Sequence, residues 1–296
     1  MSKRLIFFGN ERLATGVSTT TPILRGLTEA GWPVAAVVTN YTNPLSRNAR
    51  ALEIAQTAEQ NSIPLLTPRR TVEIKDKLAS LKAEAGILVA YGQIIPQDII
   101  DIFPAGIINL HPSLLPAYRG PTPIETAILD GVSETGVSLM ALQAKMDAGP
   151  VYAQKPTAVK AGITKQELAD QLASAGASLL LDNLPAILDG SIEPKTQAEK
   201  LASYTSLIKK GSGRIDWLAP AAVIERQVRA YAGWPKSQAE VFGQKIVIIK
   251  AREAENASDG SLVMAARPGW LEIEELIGPS GRTMSGADFI RGYRRA

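Results

Sequence analysis

Short runs of apolar, strand-forming residues alternate with longer amphipathic stretches through the first two thirds of the chain. Glycine, proline or polar residues separate most of these runs, so each run marks one element. Alternation of this kind is typical of a mostly parallel sheet whose strands are joined by crossover helices. The pattern predicts strands over residues 3–9, 34–39, 63–66, 86–90 and 106–110, and helices over 22–30, 47–60, 72–81 and from Pro96 onwards.

A pair of strands and a long helix complete this first region. The strands are predicted over 136–143 and 150–157, on either side of a short Asp-Ala-Gly turn. Thr164 and Glu167 have the spacing of a capping box, which marks the start of a helix. The apolar residues that follow repeat at helical spacing and form one stripe. Pro185 is expected to kink or restart this helix.

The last third of the chain differs in character. Residues 193–206 contain a proline, mixed charges and little periodicity, which predicts a linker between a domain over 1–192 and a domain over 207–296. After the linker, a helix is predicted over 219–231, followed by short β-prone runs that glycine and proline separate. This pattern favours a small β-barrel or sandwich.

A proline-rich loop after the strand at 106–110 carries the strongest signal for chemistry. The apolar pattern breaks at Asn109 and His111, where the strand leaves the core. Open α/β sheets bind ligands outside the carboxyl ends of their strands, so polar residues at this point are candidates for a site. Thr122 and Glu125 have the spacing of a second capping box, which predicts that the loop ends at a helix start.

Several common catalytic motifs are absent from the sequence. There is no cysteine, and His111 is the only histidine, which excludes disulfides, thiol catalysis and zinc clusters. No glycine-rich dinucleotide or triphosphate motif occurs, and no G-x-S-x-G, so nicotinamide, nucleoside triphosphate and serine-hydrolase chemistry are disfavoured. What remains is a carboxamide, an imidazole and a carboxylate, on Asn109, His111 and Asp147.

These three side chains suit acyl transfer without a covalent intermediate. Asn109 can donate to a developing oxyanion, His111 can stabilise it or move a proton, and Asp147 can orient the ring. Each residue also has a purely structural interpretation: Asn109 as a turn former, His111 as a hydrogen-bonded loop residue, and Asp147 as the polar residue of a turn. Their combination favours the catalytic interpretation.

Composition and charge narrow the setting. The contents of 45% hydrophobic and 21% charged residues are typical of a globular protein with a sizeable core. No apolar run approaches the ~20 residues of a membrane span, and the N-terminal apolar stretch is too short for a signal peptide. We therefore expect a cytoplasmic protein that does not contact membranes. The net charge is +4 after residue 206 and −1 before it, which favours a polyanionic partner such as nucleic acid.

The spacing of these polar residues resembles the folate-dependent formyltransferases. Members carry Asn-x-His, then Ser-Leu-Leu-Pro, and further on an aspartate in a turn with glycine; this sequence has Asn-Leu-His at 109–111, Ser113 to Pro116, and Asp147. The resemblance implies a Rossmann-like domain in which a substrate amine attacks the formyl group of 10-formyltetrahydrofolate. It further implies that Asn109 and His111 stabilise the tetrahedral oxyanion, and that Asp147 sustains the imidazolium and helps to remove a proton from the amine.

The same resemblance implies a folate pocket, while the single histidine and the lack of a spaced carboxylate cluster predict no metal site. The segment AYGQIIP, residues 90–96, is similar to the family's strand-to-loop segment along the pterin, and the Ser-Leu-Leu-Pro loop is the second wall. The implied folate-binding residues are Tyr91, Gly92, Gln93, Ile94, Ser113, Leu114, Leu115 and Pro116.

Other segments resemble the branch of the family that formylates methionyl-tRNA. These are RGPTPIE at 119–125, RIDW at 214–217 and WP at 234–235. The resemblance implies an OB-like C-terminal barrel that holds the acceptor arm of initiator methionyl-tRNA, and we expect a monomer. The candidate tRNA-binding residues are Arg47, Arg50, Lys209, Lys210, Arg214, Arg226 and Arg229.

Two other hypotheses stay open. The loop after the second strand is shorter than in the tRNA branch, Pro112 stands where its members have glycine, and DAGP at 147–150 resembles sugar-modifying members. The acceptor could therefore be a nucleotide-linked amino sugar. The third hypothesis is a non-enzymatic RNA-binding or folate-storing protein, against which the intact trio argues, since binding alone needs no such trio.

Overall fold

The computed structural model describes residues 3–40, 52–256 and 260–294. Arg47 and Arg50, two of the candidate tRNA-binding residues, lie outside the described residues, as does the first part of the helix predicted over 47–60. Within the described ranges, no helix combines the length and the apolar character needed to cross a bilayer.

The N-terminal domain is built on one large sheet. Its strands are β1 (Leu5–Gly9), β2 (Val34–Val38), β3 (Leu65–Leu66), β4 (Ala85–Val89), β5 (Ile107–His111), β6 (Glu134–Ala141) and β7 (Val151–Ala158). They are arranged in the order β3-β2-β1-β4-β5-β6-β7. Strands β1 to β5 pair in parallel, whereas β6 and β7 are antiparallel to their neighbours. The predicted mostly parallel sheet is therefore confirmed, and its order reverses between β1 and β4, which leaves a crevice at the carboxyl ends of these strands.

Helices cover both faces of this sheet. Leu5 and Phe7 of β1 are buried on one face, whereas Ile6 and Phe8 are buried on the other, as expected for successive strand residues. All four side chains are fully buried. The helices of this domain are α1 (Pro22–Glu29), α2 (Glu53–Gln60), α3 (Lys75–Ser80), α4 (Gln97–Ile100), α5 (Pro123–Asp130) and α6 (Lys165–Leu188).

One of the two predicted capping boxes forms. At the start of α6, the Thr164 hydroxyl accepts from the Glu167 backbone, and the Glu167 carboxylate accepts from the Thr164 backbone, which confirms that prediction. The box predicted at Thr122 is wrong, because the Glu125 carboxylate accepts the backbone N–H of Thr15 at 2.9 Å. A tertiary partner has taken the place of the local one. Helix α6 also runs through Pro185 without restarting.

The C-terminal domain is built on a second, antiparallel sheet. Its strands are β8 (Ser237–Val241), β9 (Gln244–Ala254), β10 (Val263–Ala265), β11 (Trp270–Ile277) and β12 (Thr283–Ser285), and its helices are α7 (Ala221–Ala230) and α8 (Gly286–Tyr293). The strand order is β10-β11-β9-β8, with β12 paired to β11. The sheet curls into a half-barrel over a core that contains Ile224 and Val228 from α7 and Phe289 from α8. This arrangement agrees with the predicted small β-domain.

Helix α7 attaches the C-terminal domain to the N-terminal domain. The Arg226 Nε atom donates to the carbonyl of Leu129 at 2.8 Å, and the Arg229 Nη1 atom donates to the carbonyl of Ile163 at 2.9 Å. Arg229 also pairs through two nitrogens with Glu225, one helical turn earlier. Both arginines are candidate tRNA-binding residues from the sequence, and the structure places them at the domain interface, where a backbone carbonyl accepts from one nitrogen of each.

Glu11 is a buried carboxylate at the start of α1. Its two oxygens accept the backbone N–H groups of Ile23 and Leu24 at 2.9 and 2.8 Å, which are amides that the first turn of a helix leaves unpaired. Burial raises the pKa of Glu11 from 4.5 to about 7, although both hydrogen bonds and the charge of Arg25 oppose this shift. Between about pH 4.5 and about pH 7, Glu11 of the folded protein therefore retains a proton that the unfolded chain has already released.

Replacing Glu11 by Gln should change the pH dependence of stability. A raised pKa in the folded state contributes stability that is complete below the unfolded pKa and is lost as the pH rises through the folded pKa. We expect the wild type to lose about 2 kcal/mol of unfolding free energy relative to the Gln variant between about pH 5.5 and about pH 8.5. Urea unfolding at both pH values measures the difference. Glu59→Gln, at an exposed position of α2, is the control and should follow the wild type; identical pH dependence of the Glu11 variant and the wild type would contradict the assignment.

Candidate active site

The carboxyl end of β5 presents two polar side chains on one face of the sheet. Asn109 and His111 are two residues apart, so they point to the same side, and they are only 6% and 5% exposed. Strand β5 lies between β4 and β6, where Asn109 is paired with Leu88 and Met140. Pairing with β6 along the strand, and with β4 as far as Asn109, therefore fixes the backbone of both residues.

The hydrogen bonds of His111 determine which ring nitrogen faces the cleft. Its Nε2 atom lies 2.9 Å from the carbonyl oxygen of Tyr118. A carbonyl can only accept, so Nε2 carries a hydrogen and donates it. The Nδ1 atom lies 3.8 Å from the Oδ2 atom of Asp147. It is consequently Nδ1 that can take up or release a proton, on the side where the carboxylate lies.

Asp147 occupies the turn between β6 and β7. Its φ of +47° is in the left-handed region, which is uncommon for a residue other than glycine. The Oδ2 atom accepts the backbone N–H of Gly120 at 2.8 Å, and no other hydrogen bond among the described residues reaches the carboxylate. The same turn needs Gly149, because a Cβ atom there would lie 1.9 Å from the carbonyl oxygen of Ala141. Backbone geometry therefore brings the acid to the imidazole from far along the chain.

These three side chains line one cleft of about 450 Å³ at the switch point of the sheet. Its volume lies in the range typical of small-molecule sites. None of the hydrogen bonds within the described ranges uses the Asn109 amide, so this buried group is available to a ligand. In the same ranges, no cluster of three or more histidine, aspartate or glutamate side chains is placed to hold a metal ion. The structure thus brings the predicted trio together beside an open cavity.

Residues 10–16, directly after β1, form a wall of this cleft that sequence reasoning missed. Their signal was available, because β1 flanks the switch point and polar residues follow it at once. Glu125 holds the backbone of Thr15 from one side. On the other side, Gly16 packs against the backbone of Trp234 in the C-terminal domain. Both domains therefore shape this wall.

A buried acid and a buried base lie behind the same wall. Burial raises the pKa of Glu125, which the hydrogen bond from the Thr15 backbone and the charge of Lys165 oppose. Burial likewise lowers the pKa of Lys165, which the charge of Glu125 opposes. The Lys165 ammonium donates to the carbonyl of Trp234 at 3.1 Å. The pair links the wall of the cleft to the loop that follows α7.

The candidate folate-binding residues after β4 divide into two groups. Tyr91 and Gly92 line the cleft. The Gln93 amide is used within the fold, since its oxygen accepts from Thr71 and its nitrogen donates to Asn40. The Ile94 side chain is 90% exposed and does not line the cleft. Of the strand-to-loop segment at 90–96, the first three residues therefore line the cleft.

The Ser-Leu-Leu-Pro loop, Ser113 to Pro116, lies beside β6 and does not line the cleft. The fully buried Ser113 donates its hydroxyl to the Ala117 carbonyl at 2.6 Å and accepts from Ser138 through its own carbonyl at 2.6 Å. Leu114 packs over Gly136, and Leu115 is buried. The Pro116 carbonyl accepts from the Ser203 backbone. Folate binding by these four residues stays a prediction, and their contacts in the structure fix the shape of the loop.

The remaining basic candidates lie on the C-terminal domain. The side chains of Lys209, Lys210 and Arg214 are exposed, unlike Arg226 and Arg229. Lys210 and Arg214 line a groove of about 790 Å³ along β8 and β9, together with Trp217 and Lys245. The groove therefore combines positive charge with one aromatic ring.

Two models of known protein families match the N-terminal and the C-terminal domain of the chain. A family model described as "Formyl transferase" matches residues 5–184, and one described as "Formyl transferase, C-terminal domain" matches residues 207–294. The chain is 36% identical over 310 residues to a methionyl-tRNA formyltransferase of Roseiflexus castenholzii, covering 99% of this chain and 97% of that protein. It is 37% identical over 311 residues to the protein of the same name from Chloroflexus aurantiacus, covering 98% and 96%.

Solved structures share the fold at lower identity. An N-formyltransferase of Helicobacter canadensis, in complex with folinic acid and dTDP-3-aminofucose, matches with a TM-score of 0.70 and 20% identity over 92% of this chain and 98% of that chain. HypX of Aquifex aeolicus in complex with tetrahydrofolic acid matches with a TM-score of 0.68 and 17% identity, over 100% of this chain and 48% of that chain. At these identities the likeness concerns the fold alone, and this chain spans about half of the HypX chain.

Proposed function

This chain belongs to the formyl transferase family, and on that premise we propose that it transfers the formyl group of 10-formyltetrahydrofolate to the amino group of methionyl-tRNA. The observation that carries the proposal is the convergence of Asn109, His111 and Asp147 on one cleft. Similarity to methionyl-tRNA formyltransferases along nearly the whole chain supports the choice of acceptor.

The cleft suits a reaction that develops negative charge on a formyl oxygen. In the balanced reaction, the substrate amine forms a bond to the formyl carbon, the bond from that carbon to the folate nitrogen breaks, and one proton passes from the amine to that nitrogen. The Asn109 amide can donate to the oxygen at the moment when it gains charge, and it has no competing partner among the described residues. A single donor of this kind typically contributes about 100-fold to about 1000-fold in rate.

His111 and Asp147 are suited to the proton transfer. Since Nε2 of His111 is fixed as a donor to Tyr118, a second proton would reside on Nδ1, between the carboxylate and the cleft. The separation of 3.8 Å between Nδ1 and Oδ2 of Asp147 is slightly too long for a direct hydrogen bond. It is within reach of a single bridging water or of a small closure on substrate binding. Asp147 can therefore receive the proton that the amine loses.

Exposed basic residues support a nucleic-acid acceptor. Lys209, Lys210 and Arg214 follow the linker, and Lys210 and Arg214 border the groove on the C-terminal sheet. A polyphosphate attracts such a cluster through counterion release.

We assign the enzyme to the cytoplasm, because the proposed substrates, charged tRNA and reduced folate, are found there. We expect it to act as a monomer, because one chain carries the whole trio. The amino-sugar alternative is supported by the short loop, Pro112 and the DAGP sequence at 147–150, and by a fold likeness to the Helicobacter canadensis enzyme.

A direct assay tests the proposal. Purified protein is incubated with labelled 10-formyltetrahydrofolate and either initiator methionyl-tRNA or a nucleotide-linked amino sugar. We expect the label to pass to the aminoacyl-tRNA with multiple turnovers. Absence of transfer to methionyl-tRNA would refute the proposed acceptor, and transfer to the sugar alone would establish the alternative.

Replacing His111 by Ala or Asp147 by Asn should lower kcat by at least about 100-fold, because each removes a group that stabilises charge or moves a proton in the transition state. Asn109→Ala should lower kcat to a similar extent through loss of its amide donor. Single-turnover formylation measures these rates. Asp98→Asn, on the exposed face of α4, makes the same change from carboxylate to amide away from the cleft and should keep the wild-type rate. Near-normal rates in the trio variants would contradict their roles.

Replacing Lys209, Lys210 and Arg214 together by Ala should weaken tRNA binding and flatten its salt dependence. Each lost phosphate contact reduces the slope of log K against log salt by about 1. The KM for the folate substrate should be unchanged. Binding is measured by filter retention at several salt concentrations, with Lys75→Ala, on α3, as a control for the loss of an exposed charge. A slope equal to that of the wild type would remove these residues from the interface.

A further inference from the structure

The linker at 193–206 holds a position beside the cleft that its composition does not suggest. We infer that Gln197, in this linker, is a positioning residue for formyl transfer: it holds the turn of Asp147 so that the carboxylate faces the ring of His111. The inference rests on the proposed function. It concerns residues that fall between the two family matches, which end at 184 and begin at 207.

The Gln197 amide forms hydrogen bonds through both its nitrogen and its oxygen, and these connect the turn of Asp147 with the buried Arg119. Its Nε2 atom donates to the carbonyl oxygens of Asp147 and Gly149 at 2.9 and 2.7 Å. Its Oε1 atom accepts from Nε and Nη2 of Arg119 at 3.1 and 2.9 Å. The Arg119 side chain is completely buried, so the charge needs fixed partners. One side chain thus connects the backbone of the acid's turn to a buried guanidinium.

The turn depends on partners of this kind. Its ends are joined by the backbone hydrogen bond from Ala141 to Pro150 at 2.9 Å, but near Asp147 its own backbone contributes a long one, from Ala148 to Lys145 at 3.3 Å. Asp147 lies in the left-handed region, which costs a residue with a Cβ atom roughly 1–2 kcal/mol. Two donations from one planar amide fix the Asp147–Ala148 and Gly149–Pro150 peptide groups. Without them, the turn can relax toward an unstrained backbone and carry the carboxylate away.

The linker backbone fixes the other side of the site. Arg119 donates its N–H to the Ser203 carbonyl at 2.9 Å and accepts from the Thr205 N–H at 2.7 Å. The Ser203 hydroxyl accepts the N–H of Tyr118 at 2.8 Å. Tyr118 receives the hydrogen bond of His111, and Gly120 donates to Asp147. The three residues at 118–120 therefore contact both the base and the acid, and the linker holds all three.

The position of the linker along the turn is also fixed. Lys195 and Val151 exchange two backbone hydrogen bonds of 2.8 Å, directly after the turn of Asp147. Glu199 accepts from Lys145 and from Arg119, and these two contacts lower its pKa to about 2. It is thus ionised wherever the protein is active. The linker is bound before, at and after Gln197, so this side chain has little freedom to leave the turn.

The small separation of the acid and the ring makes the positioning consequential. Nδ1 of His111 and Oδ2 of Asp147 are 3.8 Å apart, slightly too far for a direct hydrogen bond. One bridging water or a small closure on substrate binding is needed to connect them. A misplacement of about 1 Å at a catalytic group can cost about 100-fold in rate. Loss of the Gln197 contacts should therefore act on the chemical step and leave substrate binding unchanged.

Gln197→Glu tests this role with little change of shape. A carboxylate keeps the acceptor for Arg119, so the linker stays attached, but it turns an oxygen toward the two carbonyls of the turn. We expect kcat to fall at least about 10-fold, while the KM values for folate and tRNA stay within about twofold. The matched control is Asn183→Asp on α6, which likewise removes an amide donation to a backbone carbonyl, that of Leu179 at 2.7 Å, and should keep the wild-type kcat.

The single histidine provides a second readout that does not depend on turnover. Nitrogen-15 labelling of histidine gives ring signals that belong to His111 alone. In Gln197→Glu the Nδ1 signal, on the side of Asp147, should move, and the control should match the wild type. If Gln197→Glu lowers the melting temperature by more than about 5 °C, Gln197→Met takes its place with the same expectation; it removes the two donations and the acceptor for Arg119 without adding charge.

Failure of this inference can be told apart from failure of the proposed function. A folded variant at residue 197 with normal kcat and an unchanged Nδ1 signal would overturn the role of Gln197 while the wild type still formylates methionyl-tRNA. An equal loss of kcat and rise in KM, with an unchanged Nδ1 signal, would make Gln197 merely structural and would overturn it as well. A wild type that formylates nothing would refute the proposed function, and the nitrogen-15 signals would still report whether Gln197 holds the acid against the ring.

Discussion

A buried guanidinium is the constraint on which the geometry of the cleft depends. Arg119 has no exposed surface, and burying a charge is costly unless hydrogen bonds satisfy it. Its partners, Gln197, Glu199 and Tyr204, all come from the segment that joins the two domains. The residues on either side of Arg119 hold the imidazole and the acid. The electrostatic demand of one side chain thus determines where a distant stretch of chain must run, and that stretch in turn fixes the catalytic groups.

The sequence was most informative where chemistry follows strand geometry. Asn109 and His111 could be predicted because the end of a buried parallel strand is where such sheets bind ligands. Helix α6 could be predicted because its capping box is a local pattern. Glu125 shows where local rules fail, since the same spacing lost its capping partner to Thr15, more than a hundred residues earlier. Arg226 and Arg229 stay predictions for another reason: a basic face on an amphipathic helix looks alike whether it meets phosphates or, as part of it does here, carbonyls of the neighbouring domain.

The two domains meet around the cleft and not only at their linker. The wall formed by residues 10–16 lies between Glu125 and the backbone of Trp234. Lys165 connects the same two places, and the opposing pKa directions of Glu125 and Lys165 come from burial that neither charge fully offsets. The C-terminal domain therefore supports one side of the cleft through Trp234, while its exposed basic residues lie on another surface. Shape at the site and charge at the surface are separate contributions of one small domain.

The course of the linker has a consequence for how such enzymes can be recombined. A modular description would divide the chain between the two family matches and treat whatever lies there as replaceable tether. Here the linker contributes the Gln197 amide and the backbone hydrogen bonds of Lys195, Ser203 and Thr205 to the N-terminal domain. A chimaera that exchanges C-terminal domains would need its crossover after Thr205, so that the linker stays with the N-terminal domain whose site it supports. In this architecture, the crossover for grafting lies at the end of the predicted linker and not within it.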